Sequence, residues 1–307
     1  MRPKTFDEFV GQRAAIEQIK LALNSAKVRK SAIDHVLLSG PPGLGKTTIA
    51  QLIAANSGSK CIETNANIIR TPADVLAQIV NLRDNDVLFL DEIHALPLKV
   101  QEFLYPAMED YRISTISQLN RRSAVTIQLR RFVLVGATTI EGLLSDPMRD
   151  RFGIICRLTP YSESDIADVV RRAAFKEGIK ISEDSVLTIA RRSRSTPRIA
   201  LKHLRRIRDS AVLFGSFNNI QMNAVKHAYN ILRISDLGLT DQDYDILKVL
   251  AANNSGTMGL QALSAAINVT QETIEHVVEP HLIRLGAIER TPRGRRITDY
   301  GRSLLGG

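Results

Sequence analysis

Three short runs of unbroken apolar character punctuate a chain whose other segments are mostly amphipathic: HVLL at 35–38, DVLFL at 86–90 and FVLVG at 132–136. Runs of this length, bounded by polar or turn residues, predict strands buried on both faces. The helical periodicity between them predicts a parallel sheet with crossover helices. The first strand breaks into Gly40-Pro41-Pro42-Gly43-Leu44-Gly45 and resumes as a helical stretch over 46–53. Between Tyr111 and Phe132, alternating positions at 113–116 and 125–129 surround a polar tip, Asn120-Arg121-Arg122, and predict a protruding hairpin. Residues 1–158 are therefore expected to form an α/β domain.

Beyond Pro160 the pattern turns wholly helical. Ser162 and Ser182 each precede acidic residues in the manner of N-caps, and helices succeeding one another to about Leu232 predict a small bundle over 159–235. Gly238 and a further N-cap candidate, Thr240, mark a boundary. The remainder, 236–307, carries helical patterns at 241–252, 260–266 and 271–285, then a strand-turn-strand stretch containing Arg290-Thr291-Pro292-Arg293-Gly294-Arg295. Three helices followed by a hairpin with a basic turn predict a winged helix.

Charge adds a partner class. With 41 Lys and Arg against 32 Asp and Glu, the 307-residue chain carries a net charge of +9, which suits an acidic polymer. The residues Arg191, Arg192, Arg194, Arg198, Lys202, Arg205, Arg206 and Arg208 have no acid among them; they read equally as a solvated helix face. The two cysteines, Cys61 and Cys156, lack metal-ligand spacing and read as reduced thiols. No apolar run approaches the roughly 20 residues that a membrane span needs, so a cytoplasmic protein is expected.

Candidate chemistry begins at the glycine loop. Gly40-x-x-x-x-Gly45-Lys46-Thr47 matches the phosphate-binding P-loop in the strand-to-helix context that pattern requires. Glycines let successive backbone N–H groups turn toward an anion, the helix adds its positive end, Lys46 reaches the outer phosphates, and the Thr47 hydroxyl is a ligand for Mg²⁺. ATP is the expected substrate. Asp91 and Glu92 follow the second apolar strand, where Asp91 would hold Mg²⁺, directly or through water, and Glu92 would orient the attacking water. His94 beside them reads as a packing residue. Thr139, at the end of the third strand, can reach both the γ-phosphate and the water. Arg149 and Arg151, on one side if extended, and Arg198, just inside a helix start after Pro197, are candidates for stabilising transferred-phosphoryl charge; ion pairs to Asp146 or Asp150 would explain the first two as well.

With these pieces the chain resembles the AAA+ superfamily and, within it, the RuvB family of bacterial Holliday-junction branch-migration motors. The resemblance rests on GPPGLGKTT at 40–48, DVLFLDEIH at 86–94, LYPAMED at 104–110, GATT at 136–139, RDRFGI at 149–154, ARRSRSTPRIA at 190–200 and RTPRGR at 290–295. It implies that Thr139 senses the γ-phosphate, that Arg151 is a finger offered to the neighbouring subunit's ATP, and that Arg198 is a lid sensor. It further implies that Arg2, Val10, Gly43, Leu44, Gly45, Thr48, Tyr161 and Pro197 border the nucleotide, with Glu109, Asp110 and Tyr111 close to it. Arg290 and Arg295 would meet DNA phosphates. Six subunits would ring duplex DNA at a four-way junction, with a junction-recognising, RuvA-like partner docking on the 111–132 hairpin.

The chain departs from the family at several places. The family carries a further stretch ahead of the segment that begins here at Arg2, which implies a less closed adenine side. Residues 117–123 replace a glycine-rich tip, Arg130-Arg131 stands where acids or proline are usual, and Ser195 replaces the usual glycine. Two rival readings share the core: a loader that clamps a partner onto DNA with ATP and releases it on hydrolysis, and a DNA-binding regulator with a merely structural nucleotide site. The wing sequence and LYPAMED argue against the first, and the complete catalytic set argues against the second.

Overall fold

The computed structural model describes residues 2–116, 124–215 and 218–306. The chain divides into two compact units, residues 1–161 and 162–307. In the first, β1 (Val36–Ser39), β2 (Cys61–Asn65), β3 (Val87–Asp91), β6 (Val133–Thr138) and β7 (Ile154–Arg157) form a parallel sheet in the order β2-β3-β6-β1-β7. β4 (Arg112–Ile116) and β5 (Ala124–Gln128) pair as the antiparallel hairpin expected between the second and third apolar runs. Its tip, 117–123, lies outside the described residues.

The three apolar runs become the three central strands because each is buried along its whole apolar length. β2 and β7 occupy the edges, and neither carries such a run. β2 is only half-buried and β7 alternates buried and exposed positions, so both escape a search for continuous apolar stretches. α1 (Arg13–Arg29) precedes the first strand, and the crossovers are α2 (Lys46–Ser57), α3 (Pro72–Ile79), α4 (Leu98–Glu109) and the one-turn α5 (Asp146–Arg149). α4 runs back across the sheet. At its far end the Met108 carbonyl meets His35 Nε2 at 3.0 Å, while His35 Nδ1 accepts from the Leu134 N–H at 2.9 Å. Those two partners fix a neutral imidazole, whose pKa burial holds below its ordinary value.

The second unit is not wholly helical. Between α6 (Glu163–Lys176), α7 (Glu183–Arg192), α8 (Pro197–Leu213) and α9 (Met222–Leu232), a two-residue parallel ladder joins β8 (Lys180–Ile181) to β9 (Asn219–Ile220). The winged helix follows: α10 (Asp241–Ala252), β10 (Thr257–Met258), α11 (Leu260–Ile267), α12 (Gln271–Thr273), α13 (Glu279–Arg284), β11 (Ile288–Thr291), β12 (Gly294–Ile297) and α14 (Asp299–Ser303). The helix expected over 271–285 is interrupted by a π turn, Ile274–Val278, between α12 and α13.

The helical bundle and the winged helix pack as one unit, and Arg194 is the reason. Arg194 and Ser195 both adopt left-handed backbone, with φ of 52° and 55°, a conformation that costs a residue bearing Cβ roughly 1–2 kcal/mol. The turn so made delivers the Arg194 guanidinium to the Gly238 carbonyl at 2.9 Å, to Thr240 Oγ1 at 3.3 Å and to the fully buried Asp243 carboxylate. Arg284 returns a bond to the Arg194 carbonyl, and His281 one to the Leu237 carbonyl. Asp243→Ala strands a buried cation and removes the carboxylate half of the capping box that opens α10, so unfolding of this unit in urea is expected to lose about 3 kcal/mol. A loss under about 1 kcal/mol would mean that Arg194 is not the clasp.

The basic cluster at 191–208 is largely consumed in the same unit. Arg191 pairs with Glu163 at 2.9 Å, Arg208 with Glu177 at 3.1 Å and Arg206 with Asp209 at 3.2 Å, while Arg192 meets Asp236 and lies 4.3 Å from the Tyr229 ring centre.

Candidate functional site

The P-loop leaves the C-terminal end of β1, inside the sheet between β6 and β7, where Gly40 N–H donates to the Thr138 carbonyl at 3.1 Å. Its shape requires glycine. Gly40 has φ of 138° and a Cβ there would sit 2.5 Å from the Leu158 carbonyl oxygen; Gly45, with φ of 104°, would meet the Phe9 ring at 3.0 Å. Gly45 caps α2, so the helix begins at Lys46 with its free N–H groups at the loop. Lys46 is 7% exposed, and its Nζ donates to the Gly40 and Pro41 carbonyls at 2.6 and 3.2 Å. Burial lowers its pKa, opposed by the nearby Glu92 and Asp91 carboxylates. A buried ammonium over a ring of loop amides fits a polyanionic ligand. Thr47 and Thr48, both half-buried, follow in the first turn.

Asp91 ends β3, and burial, reinforced by the neighbouring Glu92, raises its pKa. Glu92 takes left-handed backbone at φ 50°, which sends its side chain a different way from that of Asp91. Glu92 Oε2 accepts from Thr139 Oγ1 at 2.9 Å and from Thr139 N–H at 3.3 Å. His94 Nδ1 lies 3.3 Å from the same Glu92 oxygen and 2.9 Å from Thr138 Oγ1. Thr138 is fully buried, and its part in orienting His94 is not signalled by the sequence beyond the doubled threonine of GATT.

The N-terminal segment closes over the loop. Tyr161 Oη donates to the Leu44 carbonyl at 3.3 Å, and its ring fills the space beside Gly11, where a Cβ would come within 2.6 Å. Gln12 bonds Thr159 reciprocally at 2.7 and 3.1 Å. Val10 is half-buried in this layer and Arg2 is exposed. Pro197 and the exposed Arg198 open α8 in the second unit, with Thr196 as N-cap.

Glu109, Asp110, Tyr111 and Arg151 are not brought to this loop. Arg151 precedes β7 and Glu109 ends α4, so both lie at the N-terminal edge of the parallel sheet, with strands of ~13–20 Å between them and the P-loop. The segment around Arg149 and Arg151 is not extended either. α5 turns it, so Arg149 pairs with Asp146 at 2.6 Å while Arg151 meets Glu109 at 3.0 Å and the Pro147 carbonyl at 2.6 Å. Asp110 pairs with Arg112 at 2.7 Å, and Tyr111 packs edge-on to Phe132. At the hairpin base, Arg130 lies 3.7 Å from Asp84 and Arg131 lies 6.0 Å from the Tyr111 ring centre.

The wing also departs from expectation. Arg295 is not a free cation: its side chain is 12% exposed and bonds Glu275 at 2.7 Å and the fully buried Glu279 at 3.0 Å. Arg290 Nε also bonds Glu279, at 2.6 Å, though its side chain is mostly exposed. A buried carboxylate needs such partners, and α13 places Glu279 under the hairpin. The exposed cation at the Pro292-Arg293 turn is Arg293.

Cys61 and Cys156 are free thiols that burial pushes up to about 11. Among the described residues, no helix is long and apolar enough to cross a membrane.

Comparison with known proteins accounts for the whole chain. Residues 1–158 match the family model of the Holliday junction DNA helicase RuvB P-loop domain, 161–235 that of the RuvB AAA lid domain, and 236–306 that of the RuvB C-terminal winged helix domain. The chain is 42% identical to the Holliday junction branch migration complex subunit RuvB of Paramagnetospirillum magneticum, over 100% of this chain and 88% of the relative. It is 42% identical to the subunit of the same name from Campylobacter hominis, over 100% and 90%. Its structure is similar to the RuvB Holliday junction branch migration motor of Thermotoga maritima, with a TM-score of 0.89 and 40% identity over 99% of this chain and 98% of that one. Matched in order along its three segments, the chain belongs to the RuvB family of Holliday junction DNA helicases.

Proposed function

We propose that this chain is an ATP-driven motor that moves duplex DNA to migrate Holliday junctions, working as a hexameric ring in the cytoplasm. The observation that carries the ring is the position of Arg151, on the sheet edge away from its own P-loop and therefore able to serve only another subunit's nucleotide. Loop amides and Lys46 would take the phosphates, Lys46 trading its two carbonyl contacts for phosphate oxygens. Thr47 and Asp91 would hold Mg²⁺, which neutralises phosphate charge when bound. Glu92, freed from Thr139, would align water against the γ-phosphorus; the new P–O bond forms as the bond to ADP breaks. Thr139 would sense the γ-phosphate, and Arg198 would serve as the lid sensor that the family resemblance implies. Residues 1–158, 159–235 and 236–307 would act as motor core, lid and DNA-binding wing.

Purified chain given ATP and Mg²⁺ is expected to move a synthetic four-way junction with continuous turnover on long duplex, alone or with a RuvA-like partner seated on the 111–132 hairpin. Turnover confined to one burst per binding event would favour the loader reading instead. At the wing, Arg290 and Arg293 are the phosphate contacts we propose, with Arg295 holding the hairpin to α13. Arg293→Ala is then expected to reduce the salt slope of DNA binding by about one, whereas Arg295→Ala should lower the melting temperature. An unchanged slope in Arg293→Ala would remove the wing turn from the DNA interface.

A further inference from the structure

LYPAMED places Tyr105 and Glu109 four residues apart, and Gln101 lies four residues before Tyr105, so the three line one face of α4. α4 begins just beyond Asp91 and Glu92 and ends beside Arg151, so this stripe crosses the domain over about 12 Å. Every step along it is occupied. Gln101, 5% exposed, donates Nε2 to the Leu96 carbonyl at 2.9 Å, and Leu96 closes the 3-10 turn Ile93–Ala95 that follows Glu92. Gln101 Oε1 accepts from Ser145 Oγ at 2.6 Å, and Ser145 Oγ lies 3.3 Å from Tyr105 Oη. Ser145 is the N-cap of α5, the turn that presents Arg151. The Arg151 guanidinium carbon then lies 4.0 Å from the Tyr105 ring centre, with Glu109 on one edge and the Pro147 carbonyl on another. The buried Arg151 Nε has no hydrogen-bond partner among the described residues, so its pose is set by the ring and the two edge contacts.

We propose that Gln101, Tyr105 and Glu109 are positioning residues for Arg151, a rail along α4 that ties the finger offered to the next subunit to the Asp91–Glu92 segment of its own. The proposal rests on the reading of Arg151 as a finger in trans. A shift of the Glu92 turn moves the Leu96 carbonyl, and Gln101 passes that shift through Ser145 to α5. Glu109 and Tyr105 keep the guanidinium from relaxing along its flexible stem.

The test uses the full chain with DNA. Tyr105→Leu, and Glu109→Gln as a second variant outside the core, should bind ATP as the parent does but show kcat about tenfold lower. Mixing either with Lys46→Ala subunits should raise turnover again. The Lys46→Ala neighbour presents a properly held finger, and the variant retains a whole nucleotide site. Gln101→Leu should move the Hill coefficient for ATP toward 1. Parental kcat in both finger variants, a loss that mixing leaves unrestored, or a parental Hill coefficient in Gln101→Leu each overturns the rail. Arg151→Ala measured alongside separates the two ideas: full activity there removes the finger itself, whereas inactivity beside a fully active Tyr105→Leu removes only the rail.

Discussion

An Arg151→Ala chain is expected to bind ATP as tightly as its parent and to turn it over on DNA about a thousandfold more slowly, the scale at which an arginine finger acts. The expectation follows from strand direction. In a parallel sheet every strand end that carries the P-loop chemistry lies on one edge, and Arg151 precedes β7 on the other. Its own Lys46, Asp91, Glu92 and Thr139 should remain as they are, since none touches it, and nucleotide affinity should be unchanged. Mixed with Lys46→Ala subunits, whose fingers are intact, the variant should recover turnover. Measurement of phosphate release at saturating DNA decides the matter, and full activity of Arg151→Ala alone would sink the trans arrangement.

Between pH 6.5 and about 4 the second unit is expected to lose stability steeply. His203 and His281 are each 5% exposed, and each has its pKa pushed from 6.5 down to about 4, first by burial and then by neighbouring cations, with Arg194 beside both. In the unfolded chain both regain an ordinary pKa, so below 6.5 the unfolded state binds protons that the folded state refuses. Stability therefore falls as pH falls through this window, by about 1.4 kcal/mol per pH unit for each histidine. By pH 4 the pair removes several kcal/mol, a large part of what a domain has. Urea unfolding followed at pH 7, 6 and 5 checks this. The slope should halve in His203→Gln, and a flat profile would show that the histidines are solvated or protonated in the fold.

Local sequence carries the nucleotide loop because its chemistry needs adjacent residues: glycines for the turn, Lys46 and Thr47 at the helix start. It carries the central strands because burial on both faces leaves an unbroken apolar run. It does not carry β2 and β7, whose edge positions ask for only partial burial. Nor does it show that the cluster at 191–208 is neutralised, because Glu163, Glu177, Asp236 and Asp243 come from segments of the unit distant in sequence. The same limit applies at the wing, where Arg295 looks like a cation for DNA until Glu275 and Glu279 are brought beneath it. Arg151 is visible as a motif, but its separation from the P-loop is a property of strand direction that spacing cannot express.

The left-handed pair Arg194-Ser195 stands immediately before the start of α8, a helix of 17 residues that is roughly 25 Å long. Glycine at 195 would make that corner supple; serine, with Arg194 anchored in Asp243, makes it stiff. With Arg194 held by Asp243 beside the start of α8, the helical bundle and the winged helix of this unit would turn as one body, with no slack at the joint.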